Sequence, residues 1–147
     1  MVYVPARYFT GLSQREKAQR LRRMKEGTQR KSSDPRGYRP FPSDKDKKVR
    51  KSRYTQKFEK LYPNAKSLQQ KASATGVPFN IIKKVYNKGL AAWRTGHRPG
   101  ASQHAWGYAR VHSFLTRGKT FYTADVSLVR EALPRMTAKN IKKWFII

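Results

Sequence analysis

The chain has 147 residues, no cysteine, and 34 Lys and Arg against 8 Asp and Glu, a formal charge of +26 at pH 7. Without cysteine, neither a disulfide framework nor a thiolate metal site can hold the fold together, and the longest apolar runs, Leu90 to Trp93 and Trp144 to Ile147, fall far short of the ~20 residues of a membrane-spanning helix. So positive a chain calls for an anionic partner, because each cation set against a phosphate releases a condensed counterion; nucleic acid is favoured over an anionic membrane surface or an acidic protein face.

A 37% hydrophobic fraction with 18 Phe, Trp and Tyr is too rich for a disordered tail, yet the mean hydropathy of −0.86 is low for one compact domain. The expectation is a mainly α protein: a small helical domain with an extended basic N-terminal arm. Residues 1–66 carry 20 basic and 6 acidic residues, and 67–147 carry 14 and 2, so both halves can bind anions. Large aliphatics concentrate in the second half, which places the boundary near 60–66. Residues 1–62 then form the arm with its short helices, and 63–147 a compact domain able to fold without it. MVYVPARYF lacks the basic-then-apolar pattern of a secretory signal, and the mature chain is expected to start there.

In chain order, Ser13 to Glu16 reads as a capping box that opens a helix ending near Glu26, with Gly27 beyond it. Its apolar side is thin (Ala18, Leu21, Met24), and Arg15, Arg20, Arg22 and Arg23 are candidate anion-binding residues on the rest. From Thr28 to Lys51 the chain has three prolines and almost no aliphatics, which predicts an extended segment ordered only by contact. Tyr54, Phe58, Leu61 and Tyr62 then mark a short amphipathic helix stopped by Pro63.

Ser67 to Thr75 predicts a helix ended by Gly76, and Pro78 opens another that presents Phe79, Ile82, Tyr86, Leu90 and Trp93 along one seam. Arg94 to Ala101 is a loop. Ser102 caps a helix running to Arg117, with Gly118 as terminator. An extended piece, Lys119 to Thr123, leads to Asp125, the expected cap of a helix to Leu133. Thr137 caps a last helix ending in WFII.

Catalytic chemistry finds little to work with. After residue 66 the only carboxylates are Asp125 and Glu131, about 120° short of sharing a helix face at ~100° per residue. His97, His104 and His112 have no zinc-like spacing and are expected to face solvent or cap helices. RGKT at 117–120 resembles the end of a phosphate-binding loop, but Ser113 stands where that loop needs glycine. No enzyme activity, small-molecule substrate, cofactor or metal is expected.

Leu68 to Val85 matches a helix-turn-helix in its small residue, turn glycine and packing aliphatics, although Lys71 stands where an aliphatic is usual. Asn80, Lys83, Lys84, Asn87 and Lys88 would then face outward, able to touch bases and phosphates; the alternative is a plain helical hairpin with a solvated basic face. Arg94, His97 and Arg98 precede a helix N-terminus, where free N–H groups favour an anion; otherwise this loop packs against Trp93 and Trp106. At the C-terminus, Trp144, Phe145, Ile146 and Ile147 either close the protein's own core or dock on a partner.

YVPARYFTGLSQREK at 3–17, SRYTQKFEKLY at 52–62 and VYNKGLAAWRTGHRPGASQHAWGYARVHSFLTRGKTFYTAD at 85–125 resemble a family of small basic proteins of large double-stranded DNA viruses and some tailed phages. The resemblance implies that Gly96, Arg98, Pro99, Trp106, Gly107, Ala109, Arg110, Gly118 and Lys119 form a shared motif, whose Arg110 and Lys119 join the candidate anion-binding set. It brings no catalytic residues, and the Arg-rich stretch from Ser32 to Pro42 departs from the Lys- and Tyr-rich spacer of the family. It implies a virion context: a minor capsid or internal protein linking capsid proteins inside the shell and facing packaged double-stranded DNA. The alternative is a sequence-nonspecific DNA-binding nucleoprotein using the helix-turn-helix-like pair.

Overall fold

The computed structural model describes residues 5–45 and 47–145. Its α-helices are α1 (Gln14–Gln29), α2 (Arg53–Leu61), α3 (Leu68–Thr75), α4 (Phe79–Trp93), α5 (Gln103–Leu115), α6 (Lys119–Tyr122), α7 (Val126–Ala132) and α8 (Ala138–Phe145). Short 3-10 turns lie at Ala6–Phe9, Pro35–Tyr38, Pro42–Asp44 and Leu133–Arg135. The protein is mainly α, with no strand among the described residues. It divides into two compact units, one of Met1–Arg50 with Leu90–Trp106, the other of Lys51–Gly89 with Gly107–Ile147. This grouping differs from a division after residue 62, since Phe58 and Ala65 are buried in one cluster.

In the first unit, α1 opens on the expected capping box: Ser13 Oγ accepts from the Glu16 N–H and Glu16 accepts from the Ser13 N–H, both at 3.2 Å. The helix does not stop at Glu26. Gly27 lies within it, because the Arg94 carbonyl occupies the space a Cβ would need, and the Arg94 guanidinium donates back to the Gly27 carbonyl. The proline-rich stretch expected to be extended turns twice, Pro35 and Pro42 each starting a 3-10 turn, and it buries Phe41 to 1% exposure. Met24, Phe41 and Trp93 form the unit's buried cluster, with Tyr8, Phe9, Tyr38 and Trp106 packed on it. Aromatic rings of 150–250 Å² each can do what the missing aliphatics cannot.

In the second unit, Ser67 and Gln70 form a capping box for α3, and Gly76 ends it in the left-handed region at φ +80°. The buried seam of α4 is Ile81, Ile82, Val85 and Gly89, while Phe79 is left 38% exposed. Gly89 moves the seam, because a Cβ on it would meet the Gly107 Cα of α5 at 2.8 Å. At the end of α5 the left-handed residue is Arg117 (φ 55°): the Gly118 N–H bonds Ser113 O at 2.7 Å and the Arg117 N–H bonds Phe114 O at 3.2 Å, a Schellman ending. Gly118 is needed for space, since a Cβ there would overlap the Tyr54 ring. Residues 119–122, expected to be extended, make the helical turn α6. Asp125 precedes α7 without capping it by its side chain, because that carboxylate is held by Arg110 and Lys88.

The unit's core gathers Phe58, Ile81, Ile82, Val85, Phe114, Leu115 and Trp144. Trp144 is wholly buried and donates its indole N–H to Leu115 O at 3.2 Å. This corrects its reading as a docking residue: it closes the protein's own core. Phe145 is 36% exposed. Ile146 and Ile147 lie outside the described residues.

Candidate nucleic-acid interface

The eleven candidate cations separate by what their side chains touch. In the first unit Arg20 is 1% exposed; its guanidinium donates to Asp44 Oδ1 at 2.7 Å, to Ser43 Oγ at 2.9 Å and to the His97 carbonyl. It lies against the Phe41 ring and is spent on the interior, which removes it from the anion-binding set. Arg23 donates to the carbonyls of Gly37 and Arg39 at 3.0 and 2.8 Å, and Arg94 to that of Gly27. Both arginines staple the chain instead of presenting charge. Arg15, Arg22 and Arg98 are exposed and make no ion pair or hydrogen bond among the described residues. Arg15 and Arg22 share the open face of α1 about 10 Å apart at 1.5 Å per residue, roughly three base-pair steps of 3.4 Å.

Asp44 organises this unit. Oδ1 accepts from Arg20 and from the Gly100 N–H at 3.0 Å, and Oδ2 meets His97 Nε2 at 2.5 Å. Burial pushes the carboxyl up, but His97, the Gly100 N–H and Arg20 outweigh that and hold it below the ordinary carboxylate value. His97 is buried and stacks on Trp93 at 4.4 Å and 9°, so it does not face solvent, but its Nδ1 meets the carbonyl of Trp93, the last residue of α4, at 2.9 Å, the helix-capping role that was the other expectation. The loop 94–101 thus follows the packing alternative, leaving Arg98 as its outward cation.

In the second unit Arg110 holds Asp125 through two bonds of 2.8 and 3.1 Å. Lys88 shares that carboxylate at 3.1 Å and donates to Ala124 O at 2.9 Å, while Lys84 pairs with Glu131 at 2.6 Å. Lys83 and Lys119 are exposed with no side-chain partner among the described residues. Asn80 and Asn87 flank Lys83 on the open face of α4.

Lys71 is 3% exposed, and its ammonium donates to Ala65 O and Lys66 O, each at 2.9 Å, between the rings of Phe58 and Tyr108 at 4.9 and 5.0 Å. Burial, then the charge of Lys66, brings it down to about 8, with Glu59 opposing. Carbonyls and ring faces take the place of water around this cation. His112 stacks on Phe58 at 4.7 Å, and it too is buried where a solvent-facing ring was expected.

Most described carboxylates are already neutralised: Glu16, Asp34, Asp44, Glu59, Asp125 and Glu131 each sit in an ion pair. The remaining surface cations therefore act with little internal compensation. Among the described residues no cluster of His, Asp and Glu could hold a metal ion, and no helix is long and apolar enough to cross a membrane. Asp44, the Lys71 cage and the Gly89–Gly107 approach escaped sequence reasoning, although Lys71 in an apolar register was a visible signal.

These observations define a small, strongly basic, mainly α protein. The chain belongs to a family of unknown function (DUF5824), which it matches over residues 5–129; that span takes in α1 to α6 and stops within α7. No curated protein matches the chain, and no solved structure does.

Proposed function

We propose that this chain is a non-enzymatic structural protein that holds double-stranded DNA through its phosphates with little regard for base sequence. The observation that carries this reading is the dispersal over both units of exposed cations that make no ion pair among the described residues, Arg15, Arg22 and Arg98 in one, Lys83 and Lys119 in the other, within a net charge of +26. Scattered phosphate contacts give affinity without base readout. The resemblance to proteins of large DNA viruses and tailed phages adds the setting: a minor capsid or internal virion protein that links capsid proteins inside the shell and faces the packaged genome.

A second reading rests on α4, whose open face carries Asn80, Lys83 and Asn87 after the left-handed turn at Gly76. Asparagine can pair with adenine edges in the major groove, so here the protein is a nucleoprotein using the helix-turn-helix-like pair.

Titration of duplex DNA against salt tests the first reading. The logarithm of the binding constant should fall linearly with that of salt, with a slope near −0.9 per phosphate contacted. Replacing Arg15, Arg22, Arg98, Lys83 and Lys119 one by one with Gln should flatten it by about 0.9 for each that meets a phosphate. A salt-insensitive complex rejects the reading. A comparable loss of affinity for every duplex sequence in Asn80→Ala or Asn87→Ala, with an unchanged slope, selects the second.

A further inference from the structure

Tyr122 is the most exposed large apolar side chain described in the protein, at 65%, and Phe145 is 36% exposed. Both rest on one ring: Phe121 lies 4.8 Å from Tyr122 at 68° and 5.9 Å from Phe145 at 78°. Phe121 is itself buried and packed on Phe114 and Trp144. Two outward rings are thus seated on a rigid aromatic base, not on mobile loop atoms.

The surroundings of these rings are cationic. Lys119 is exposed three residues before Tyr122, Lys142 is exposed one turn before Phe145, and the Arg117 guanidinium lies 5.3 Å from the Phe145 ring. Asp125, three residues after Tyr122, is fully buried and already held by Arg110 and Lys88. Lys119 and Lys142 make no ion pair among the described residues.

A protein partner is the weaker occupant. At 150–250 Å² per aromatic side chain, the two rings leave open roughly 200 Å², against roughly 800 Å² per partner in a stable protein interface. Docking an apolar surface here would also bury Lys119 and Lys142 without counter-charges. An unpaired nucleotide satisfies both features, because every base has a π-face for a ring and a phosphate for the neighbouring ammonium.

We propose that Tyr122, supported by Phe121 and flanked by Lys119 and Phe145, is a stacking platform for unpaired bases, which gives the protein a single-stranded DNA or RNA site besides its duplex contacts. This rests on the reading of the chain as a nucleic-acid-binding protein. Duplex bases are stacked on each other and present no free face, so the platform acts only on ends, gaps and single strands.

The test uses the full chain and three labelled probes of equal length, an oligothymidylate, the same deoxyribose-phosphate chain without bases, and a duplex, each followed by fluorescence anisotropy. Tyr122→Ala should weaken oligothymidylate binding by about 5- to 150-fold, the range for losing one base–aromatic stack, and leave the abasic and duplex probes unchanged. Tyr122→Phe should keep the affinity. Unchanged oligothymidylate binding in Tyr122→Ala overturns the proposal while duplex binding leaves the broader reading standing. Equal losses on the abasic probe overturn it too, since the ring would then act through the backbone. If Tyr122→Ala only reduces self-association in sedimentation velocity, the ring belongs to a contact between copies and the proposal fails. Wild-type protein that binds none of the probes overturns both readings.

Discussion

His97 Nε2 and Asp44 Oδ2 stand 2.5 Å apart, while the other ring nitrogen of His97 faces the Trp93 carbonyl at 2.9 Å. Both nitrogens thus meet oxygen atoms, and Asp44 ties that ring to Arg20 and the Gly100 N–H. Asp44→Asn keeps the shape and removes the charge, leaving the buried Arg20 uncompensated; breaking such a pair costs about 3–5 kcal/mol. A lowered melting temperature and loss of near-ultraviolet dichroism from Trp93 are expected. Because the folded carboxyl is held below its unfolded value of 3.8, its contribution is present above that pH and is lost as pH falls through the folded value.

His112 supplies a different acid sensitivity. Burial, then the nearby Lys71 ammonium, lowers it from 6.5 to about 4, against an opposing pull from Glu59. One ring nitrogen meets Thr55 Oγ1 at 2.8 Å, and Nε2 has no partner among the described residues, so a second proton would find no acceptor there. Between pH 6.5 and 4 the unfolded chain takes up that proton and the folded chain does not, so stability should decline across this window as pH falls. His112→Phe should flatten that part of the curve. In an NMR titration, Lys71→Met should raise the His112 midpoint by removing the neighbouring charge.

The glycines separate space from conformation. Gly89→Ala puts a Cβ 2.8 Å from the Gly107 Cα, a clash between two backbones, and should destabilise by about 1–3 kcal/mol as overpacking does. Gly11→Ala meets nothing within 4 Å, but its φ is +78°, so its cost should be only about 1–2 kcal/mol. Restoring close packing at Gly89 by a backbone shift would also move Gly107, visible as amide shift changes in α5; Gly11→Ala should leave α5 unmoved.

Truncation distinguishes the two possible boundaries. The second unit's apolar cluster draws on Phe58 and on nothing described before it. A chain lacking residues 1–50 should therefore keep a cooperative melt and most of its helical dichroism. Removing residues 1–62 also deletes the fully buried Phe58, a loss of about 3–5 kcal/mol by analogy with Phe→Ala in cores, and should melt lower. Equal melting of the two truncations would place Phe58 outside the cooperative unit.

Deleting Trp144 to Ile147 should lower the stability of the isolated protein by at least the roughly 3–5 kcal/mol of a core Trp→Ala change, read from denaturant unfolding. An unchanged midpoint would mean that the buried indole contributes nothing to the fold.

Much of the helical content was legible because caps are local: Ser13 with Glu16, Ser67 with Gln70, and Thr137 each act within three residues. The grouping of the chain was less so, because it depends on pairs far apart in sequence, such as Arg20 with Asp44 or Arg94 with Gly27. Arginines look alike in a sequence, whether they point at water or at a carbonyl; of the first helix's candidates, Arg15 and Arg22 point outward and Arg20 inward. Gly118 ends α5 as its position suggests, but the left-handed residue is Arg117, and the Tyr54 ring that leaves Gly118 no room for a Cβ cannot be foreseen by local rules.

Arg20 must wait for the carbonyl of His97, 77 residues later in the chain. At about 5–20 residues per second of synthesis, that carbonyl is made roughly 4 to 15 seconds after the arginine. Throughout that interval the first unit lacks His97 and Trp106, and the guanidinium destined for its interior is still on a nascent, solvated segment. A charge that ends up buried is thus made well before the residues that shelter it, so the first unit's core can close only once residue 97 has been made.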